Sequence, residues 1–244
     1  MLKAIVTGHS RGLGAGMAQA LLERGATVLA LSRKPNSDLA ARFPKTLIEV
    51  TIDLANMDSL ISWLSHHEIE DFLEGAQSAA LVNNAGVVEP IGSADDLNPA
   101  EILRTVALNV AGPLALAHAF LRASDGLADR RVVHISSGAG RNPIAGWSVY
   151  CATKAALDHH ARTIAADLPA GARIESLAPG VLDTDMQGVI RATPKDGFPD
   201  LDRFVSMKET NALASPAERG AAIVAHMLSD AFGREILTDA RNLG

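Results

Sequence analysis

Short runs of consecutive apolar residues alternate along this 244-residue chain with longer stretches whose apolar positions recur every three or four residues. Runs of the first kind suit strands buried on both faces of a parallel sheet, and stretches of the second kind suit helices laid over it. Seven strands are predicted, at 3–7, 27–32, 46–52, 79–83, 131–136, 173–177 and 234–238. Helices fill most of the gaps, which is the βαβ pattern of an α/β protein. In the first of them Leu13, Met17, Leu21 and Leu22 make the apolar face. A long helix is expected from Pro99 to Leu121, with Asn98 as N-cap, Pro99 at the first helical position and Glu101 completing a capping box. Gly112-Pro113 should loosen it just after Asn109, because Pro113 lacks a backbone donor and crowds the preceding turn. Another helix is expected over 148–167, stopped by Pro169-Ala170-Gly171. The stretch 185–212 breaks the rhythm: Pro194, Gly197 and Pro199 lie among scattered charges, and it reads as a substrate-covering loop.

Composition narrows the class. With 48% hydrophobic residues the chain can bury a sizeable core, and one domain spanning 1–244 accounts for the whole alternation. The formal charge is −6 and no run of Lys or Arg offers a surface to a phosphate backbone, so no nucleic acid partner is expected. Cys151 is the only cysteine, which rules out an intrachain disulfide and suits a reducing cytoplasm. The apolar run before Gly8 is too short for a signal-peptide core, and nowhere do 18 uninterrupted apolar residues occur. A cytoplasmic protein without membrane attachment is the expectation.

Three residues outline an acid/base site. Tyr150 and Lys154, four apart, share one helix face, and Ser137 lies thirteen residues upstream at the end of a predicted strand. A phenol with a free pKa near ~10 is a poor proton carrier at neutral pH, and a neighbouring ammonium would make it usable. A serine hydroxyl can hold the substrate oxygen that gains or loses the proton. Taken alone, Tyr-x-x-x-Lys also occurs on solvated helices. At the other end of the chain Thr7-Gly8-His9-Ser10-Arg11-Gly12-Leu13-Gly14 follows the first strand and opens a helix. Such a turn lets the backbone approach a pyrophosphate, while the helix N-terminus presents free N–H groups to it. The bland alternative is a glycine turn that only packs strand to helix.

Together these residues resemble the short-chain dehydrogenases/reductases. Thr-Gly-x-x-x-Gly-x-Gly at 7–14, Asn83-Asn84-Ala85-Gly86, Asn109, Ser137, Tyr150, Lys154 and Pro179-Gly180 fall in that family's order over essentially the whole chain. The resemblance implies a Rossmann-type doubly wound seven-stranded parallel sheet, order 3-2-1-4-5-6-7, that binds NAD or NADP at the carboxyl ends of its strands. It implies cofactor contacts from Gly8, Ser10, Arg11, Gly12, Leu13, Gly14, Arg33, Asn84, Ala85, Gly86, Tyr150, Lys154, Pro179, Gly180 and Thr184. Asp53 resembles the family's adenine contact, although an Asp before Leu54 could equally cap the next helix. Catalysis would fall to Asn109, Ser137, Tyr150 and Lys154. Tyr150 exchanges the substrate proton, Ser137 orients the carbonyl, and Lys154 lowers the Tyr150 pKa and holds the nicotinamide ribose. Asn109 holds a water linking Lys154 to solvent, bonds a carbonyl freed by Pro113, or does both.

The second strand ends Leu31-Ser32-Arg33-Lys34, without the acid that would accept bonds from a ribose 2′-hydroxyl. Arg33 and Arg11 suit a 2′-phosphate instead, so NADP is expected rather than NAD. Leu182-Asp183-Thr184-Asp185-Met186-Gln187, after Ala178-Pro179-Gly180, is similar to the matching segment of the sepiapterin and benzil reductase branch. That branch implies reduction of a ketone or vicinal dicarbonyl with NADPH. An NAD-linked alcohol dehydrogenase and a non-catalytic NADP(H)-binding regulator are the alternatives. The partners expected are a small carbonyl or alcohol substrate and further copies of the chain, as homodimer or homotetramer. No metal site is expected: His66-His67 and His159-His160 are adjacent pairs that diverge on a helix, and Asp183 with Asp185 are too few ligands. His9 either touches the adenosine phosphate or is merely tolerated in the turn, and Cys151 reads as packing.

Overall fold

The computed structural model describes residues 1–167 and 170–243. Seven strands, β1 (Leu2–Thr7), β2 (Thr27–Ser32), β3 (Leu47–Thr51), β4 (Ser78–Asn83), β5 (Arg130–Ile135), β6 (Ala172–Ala178) and β7 (Leu237–Asp239), form one sheet in the order 3-2-1-4-5-6-7. Every pairing between neighbours is parallel, as the crossovers through helices require. The last strand is shorter and later than 234–238, because only Ser176 to Ala178 of β6 have partners on it.

Period-two alternation divides the strand residues between two cores. Ala4 and Val6 of β1, with Val28 and Ala30 of β2, meet α1 (Gly12–Glu23) and α10 (Pro216–Met227) on one face. Ile5, Leu29 and Leu31 turn the other way. They pack with residues of α3 (Met57–Ser65), α4 (Glu68–Leu73) and α6 (Gly112–Ala123), and with Ala161 of α7 (Ser148–Asp167). The remaining short helix, α2 (Ser37–Arg42), follows β2.

The helix predicted from Pro99 is continuous but not uniform. It consists of α5 (Pro99–Val106), a π-helical turn over Ala107–Ala111, and α6. The widened turn contains Asn109 and runs up to Gly112-Pro113, which fits the missing donor at Pro113. Asn98 caps the start through the Ala100 N–H at 2.9 Å, without a reciprocal bond from Glu101 among the described residues. Although Pro99–Ala123 is long and apolar enough to cross a bilayer, Leu116, Ala117 and Phe120 are buried in the second core. The predicted stop at Pro169 lies outside the described residues. Gly171 beyond it holds φ +82° beside the Ala128 carbonyl.

The segment 185–212 is not a loop throughout. It folds into α8 (Asp185–Ala192) and α9 (Leu201–Glu209). Ile190, Phe198 and Phe204 are buried with Val88, Ala139, Trp147 and Tyr150 in a third apolar cluster, so prolines and charges mark only the connection between two amphipathic turns.

Candidate active site

The carboxyl ends of β1 and β4 are stitched together at the glycine turn. The Thr7 hydroxyl accepts the Asn84 and Ala85 N–H groups at 2.9 and 3.0 Å, and the Asn84 amide donates to the Thr7 carbonyl at 2.9 Å. Gly8 and Gly12 sit at φ +74° and +58°. A Cβ on Gly14 would stand 2.1 Å from the Gly8 carbonyl oxygen and 2.5 Å from Asn84 Nδ2, so no side chain fits there. Arg11, the N-cap of α1, makes no side-chain cap bond. The first-turn N–H groups of α1 are thus presented at the mouth of a side-chain-free cradle, which fits a pyrophosphate.

His9 is fully buried in this turn and bonds Glu49 of β3 at 2.6 Å. The same carboxylate oxygen accepts the Asn36 N–H at 2.7 Å, while the Asn36 amide reaches back to the His9 carbonyl at 3.2 Å. His9 therefore ties the glycine turn to the β2–α2 connection. Arg33 and Lys34, in that connection, are exposed. Arg11 instead pairs across the cleft with Asp185 at the start of α8. Asp53 does not cap the next helix, since Asn56 caps α3 through the Ser59 N–H; it accepts the Ala55 N–H at 3.0 Å in the turn before it, and its second oxygen meets Arg104 of α5 at 2.9 Å. Thr184 lies against Gly12, and Gly180 holds φ +80° beside the Arg241 side chain.

Across the sheet, β5 and α7 bring the acid/base set together. Tyr150 and Lys154 are buried on α7, and Ser137 begins the short turn after β5. Burial pushes the Tyr150 phenol pKa up to about 12, and the nearby Ser137 hydroxyl opposes that rise without cancelling it. Lys154 donates to the Ile135 carbonyl at 2.8 Å, with its Nζ 5.6 Å from the Tyr150 ring centre. Burial pulls its pKa down to about 8, opposed by the charge of Asp158 one helical turn on. The expected lowering of the phenol pKa by Lys154 is therefore not found: burial raises it, and the ammonium is held by the Ile135 carbonyl.

Asn109 uses its amide on a different strand connection. Its Oδ1 accepts the Val87 N–H at 3.0 Å and its Nδ2 donates to the Val87 carbonyl at 2.8 Å, so it clamps the segment after Gly86. It does not bond a carbonyl freed by Pro113; the Pro113 carbonyl itself is taken by Asn83 at 3.0 Å. A Cβ on Gly86 would lie 3.1 Å from Asn109 Oδ1 and 3.7 Å from Lys154 Nζ, which places all three around one point. Ser136, next to Ser137, is buried with its hydroxyl unpaired among the described residues.

Several residues at the site went unread in the sequence. Asp158 receives the Ser176 hydroxyl at 2.7 Å and Arg141 Nε at 3.1 Å, and Arg141 also binds the Ser176 and Thr238 carbonyls. Its four-residue spacing from Lys154 was the available signal. Trp147, three residues before Tyr150, stacks on Phe198 with centroids 5.0 Å apart and planes 13° apart. Phe204 and Tyr150 each lie 5.3 Å from it. Asp183 and Asp185 are occupied by Lys208 and Arg11. Asp239, near the chain end, is held by Arg241 through Nε and Nη2.

Residues 3–195 match the family model described as short chain dehydrogenase. The chain belongs to the short-chain dehydrogenase family. Among curated short-chain dehydrogenases it is 36% identical over 225 residues to a benzil reductase ((S)-benzoin forming) of Bacillus cereus, covering 88% of this chain and 90% of that one. It is also 36% identical over 212 residues to the sepiapterin reductase of Bos taurus, covering 81% and 78% respectively. A solved short-chain dehydrogenase/reductase from Burkholderia vietnamiensis is 43% identical, with a TM-score of 0.72 over 100% of this chain and 98% of that one. The chain is therefore a short-chain dehydrogenase/reductase enzyme of a family that binds NAD(P), and its branch contains benzil and sepiapterin reductases.

Proposed function

We propose that this enzyme reduces ketones, vicinal dicarbonyls among them, with NADPH, and that Tyr150 is the general acid. The observation that carries the reading is the Tyr150 phenol buried next to Lys154: with its pKa pushed up to about 12 by burial it keeps its proton at neutral pH and has it to give. A bound nicotinamide supplies the hydride to the carbonyl carbon. The Ser137 hydroxyl, at the start of the turn after β5, holds the same carbonyl oxygen and fixes the line of proton transfer. Lys154 keeps a cation beside the phenolate that remains, and its anchor on Ile135 limits where that charge can lie. Asn109 fixes the backbone at Val87, next to Gly86 and Lys154, and so shapes the floor of the site.

NADPH is favoured over NADH because β2 ends at Ser32 and runs into Arg33-Lys34. Glu49 of the neighbouring β3 is already engaged by His9 and the Asn36 N–H, which leaves Arg33 to meet a 2′-phosphate. A non-catalytic regulator would have no need of the four residues kept here. Two copies would pair through the α5 and α7 faces, where Leu103 is 71% exposed. The deciding experiment follows NADPH and NADH consumption with benzil, other diketones and sepiapterin. NADPH-linked turnover of the diketones is expected, and inactivity on every carbonyl with either cofactor overturns the proposal.

A further inference from the structure

Trp147 Nε1 is buried without a hydrogen-bond partner, three residues before the reacting Tyr150. A buried donor left unpaired is costly, and native proteins hold few of them. An indole N–H is a donor only, and its direction is fixed by the ring. Here the ring is fixed in turn by Phe198 stacked on it at 5.0 Å, with Phe204 and Tyr150 each at 5.3 Å. Phe198 is fully buried and Phe204 nearly so, both inside the apolar cluster that contains Tyr150. The wall beside the phenol is thus aromatic and carries one unspent donor. Tyr150 and Ser137 between them account for the oxygen of a single carbonyl, so a further donor in this wall suits a second acceptor next to the reacting group.

We propose that Trp147 Nε1–H binds the non-reacting carbonyl oxygen of an aryl vicinal diketone, and that Trp147 is the residue that selects diketones over monoketones. The inference rests on the carbonyl reductase reading above and deepens it to a substrate class. An aryl substituent adds ring-on-ring contact to the aromatic wall that Phe198 supports, and the second oxygen satisfies the orphaned donor. A monoketone keeps the first contact and forgoes the second.

The test compares benzil with deoxybenzoin, in which a CH2 replaces one of the two carbonyls. Benzil is intrinsically the more reactive, so the readout is the change in the benzil to deoxybenzoin ratio of kcat/KM between wild type and variant. Trp147→Phe keeps an aromatic ring and deletes the N–H. It is expected to lower kcat/KM on benzil about tenfold and to leave deoxybenzoin within about twofold. Phe198→Leu keeps the N–H and removes the stacked ring, so it should lower both substrates alike. Deoxybenzoin turnover and thermal melting report whether each variant is folded. An unchanged ratio in Trp147→Phe, whether both rates hold or both fall, overturns the role of the indole while leaving carbonyl reduction intact. Failure of the wild type on both ketones with either cofactor overturns the functional reading, and this inference with it.

Discussion

Lys154 and Asp158 stand one turn apart on α7, the first donating to the Ile135 carbonyl and the second clasped by Ser176 and Arg141. Burial draws the Lys154 pKa down to about 8 and the Asp158 charge resists that fall. The other groups facing the ammonium add no negative charge at neutral pH. Tyr150 is protonated, Asn109 is neutral, and His134 on β5 has its pKa pushed down to about 3, first by burial. Asp158 is therefore a positioning residue that keeps Lys154 cationic. Asp158→Asn destabilises the cation, so Lys154 loses its proton at lower pH. The alkaline limb of kcat/KM for ketone reduction should move down by about one pH unit. A uniform drop in rate at every pH, with no displacement of the limb, would mean that Asp158 only holds the fold.

The glycine cradle makes a sharper prediction than a motif match does. Gly14→Ala must push its Cβ into the Gly8 carbonyl and Asn84, so the turn has to open. NADPH affinity, read by fluorescence titration, should weaken about tenfold or more. Gly188 is the internal control, because nothing lies within 4 Å of a Cβ built there and it sits inside α8. Gly188→Ala should leave affinity unchanged and raise stability by about 0.4–1 kcal/mol.

Cofactor choice is predicted to rest on Arg33 more than on Arg11. Arg11 is paired with Asp185, both about two-thirds exposed, whereas Arg33 makes no ion pair among the described residues. Arg33→Asp should weaken NADPH about tenfold or more while changing NADH far less, because the introduced acid repels a 2′-phosphate and accepts from a 2′-hydroxyl. Equal losses for both cofactors, measured as KM and as binding affinity, would count against a 2′-phosphate contact.

Much of this arrangement is legible from residue order, and the parts that are not share a cause. Strands such as β2 are buried on both faces and appear as unbroken apolar runs, so 27–32 is read to the residue. Tyr150, Lys154 and the Gly8–Gly14 turn are local patterns whose spacing alone carries their geometry. The 185–212 helices are hidden because Phe198 and Phe204 gain their partner, Trp147, only through a contact some fifty residues back in sequence. The histidine contacts are hidden in the same way. His159-His160 reads only as an adjacent pair diverging on a helix, and the fold brings His160 to His134 of β5 at 3.0 Å and to within 5.6 Å of His118. Asp158 is the exception. Its spacing from Lys154 was open to reading, and its importance follows from Ser176 and Arg141, which only the fold brings to it.

That histidine chain predicts an acid-sensitive fold. The Asn83 amide donates to the Pro113 carbonyl at 3.0 Å and to His134 Nδ1 at 3.2 Å, so Nδ1 is an acceptor and the His134 proton sits on Nε2, facing His160. A second proton would have to enter at Nδ1, against the Asn83 N–H, in a site already close enough to feel the Lys154 charge. Burial, His160 and Lys154 all oppose it, and the His134 pKa falls from 6.5 to about 3. The sign of the linkage follows. Below pH 6.5 the unfolded chain binds a proton that the folded chain refuses, so stability declines as pH falls from there towards 3 and is unaffected above it. His160, whose pKa is also lowered, first by burial and then by His118, adds to the decline just below pH 6.5. His134 contributes a slope of up to about 1.4 kcal/mol per pH unit once pH is well below 6.5. Urea denaturation at pH 7.5 and 5.5 should show that loss in the wild type. His134→Gln, which retains a donor towards His160 but cannot titrate, should start less stable at pH 7.5 and lose less between the two pH values. Identical pH slopes for both proteins would remove His134 as the source.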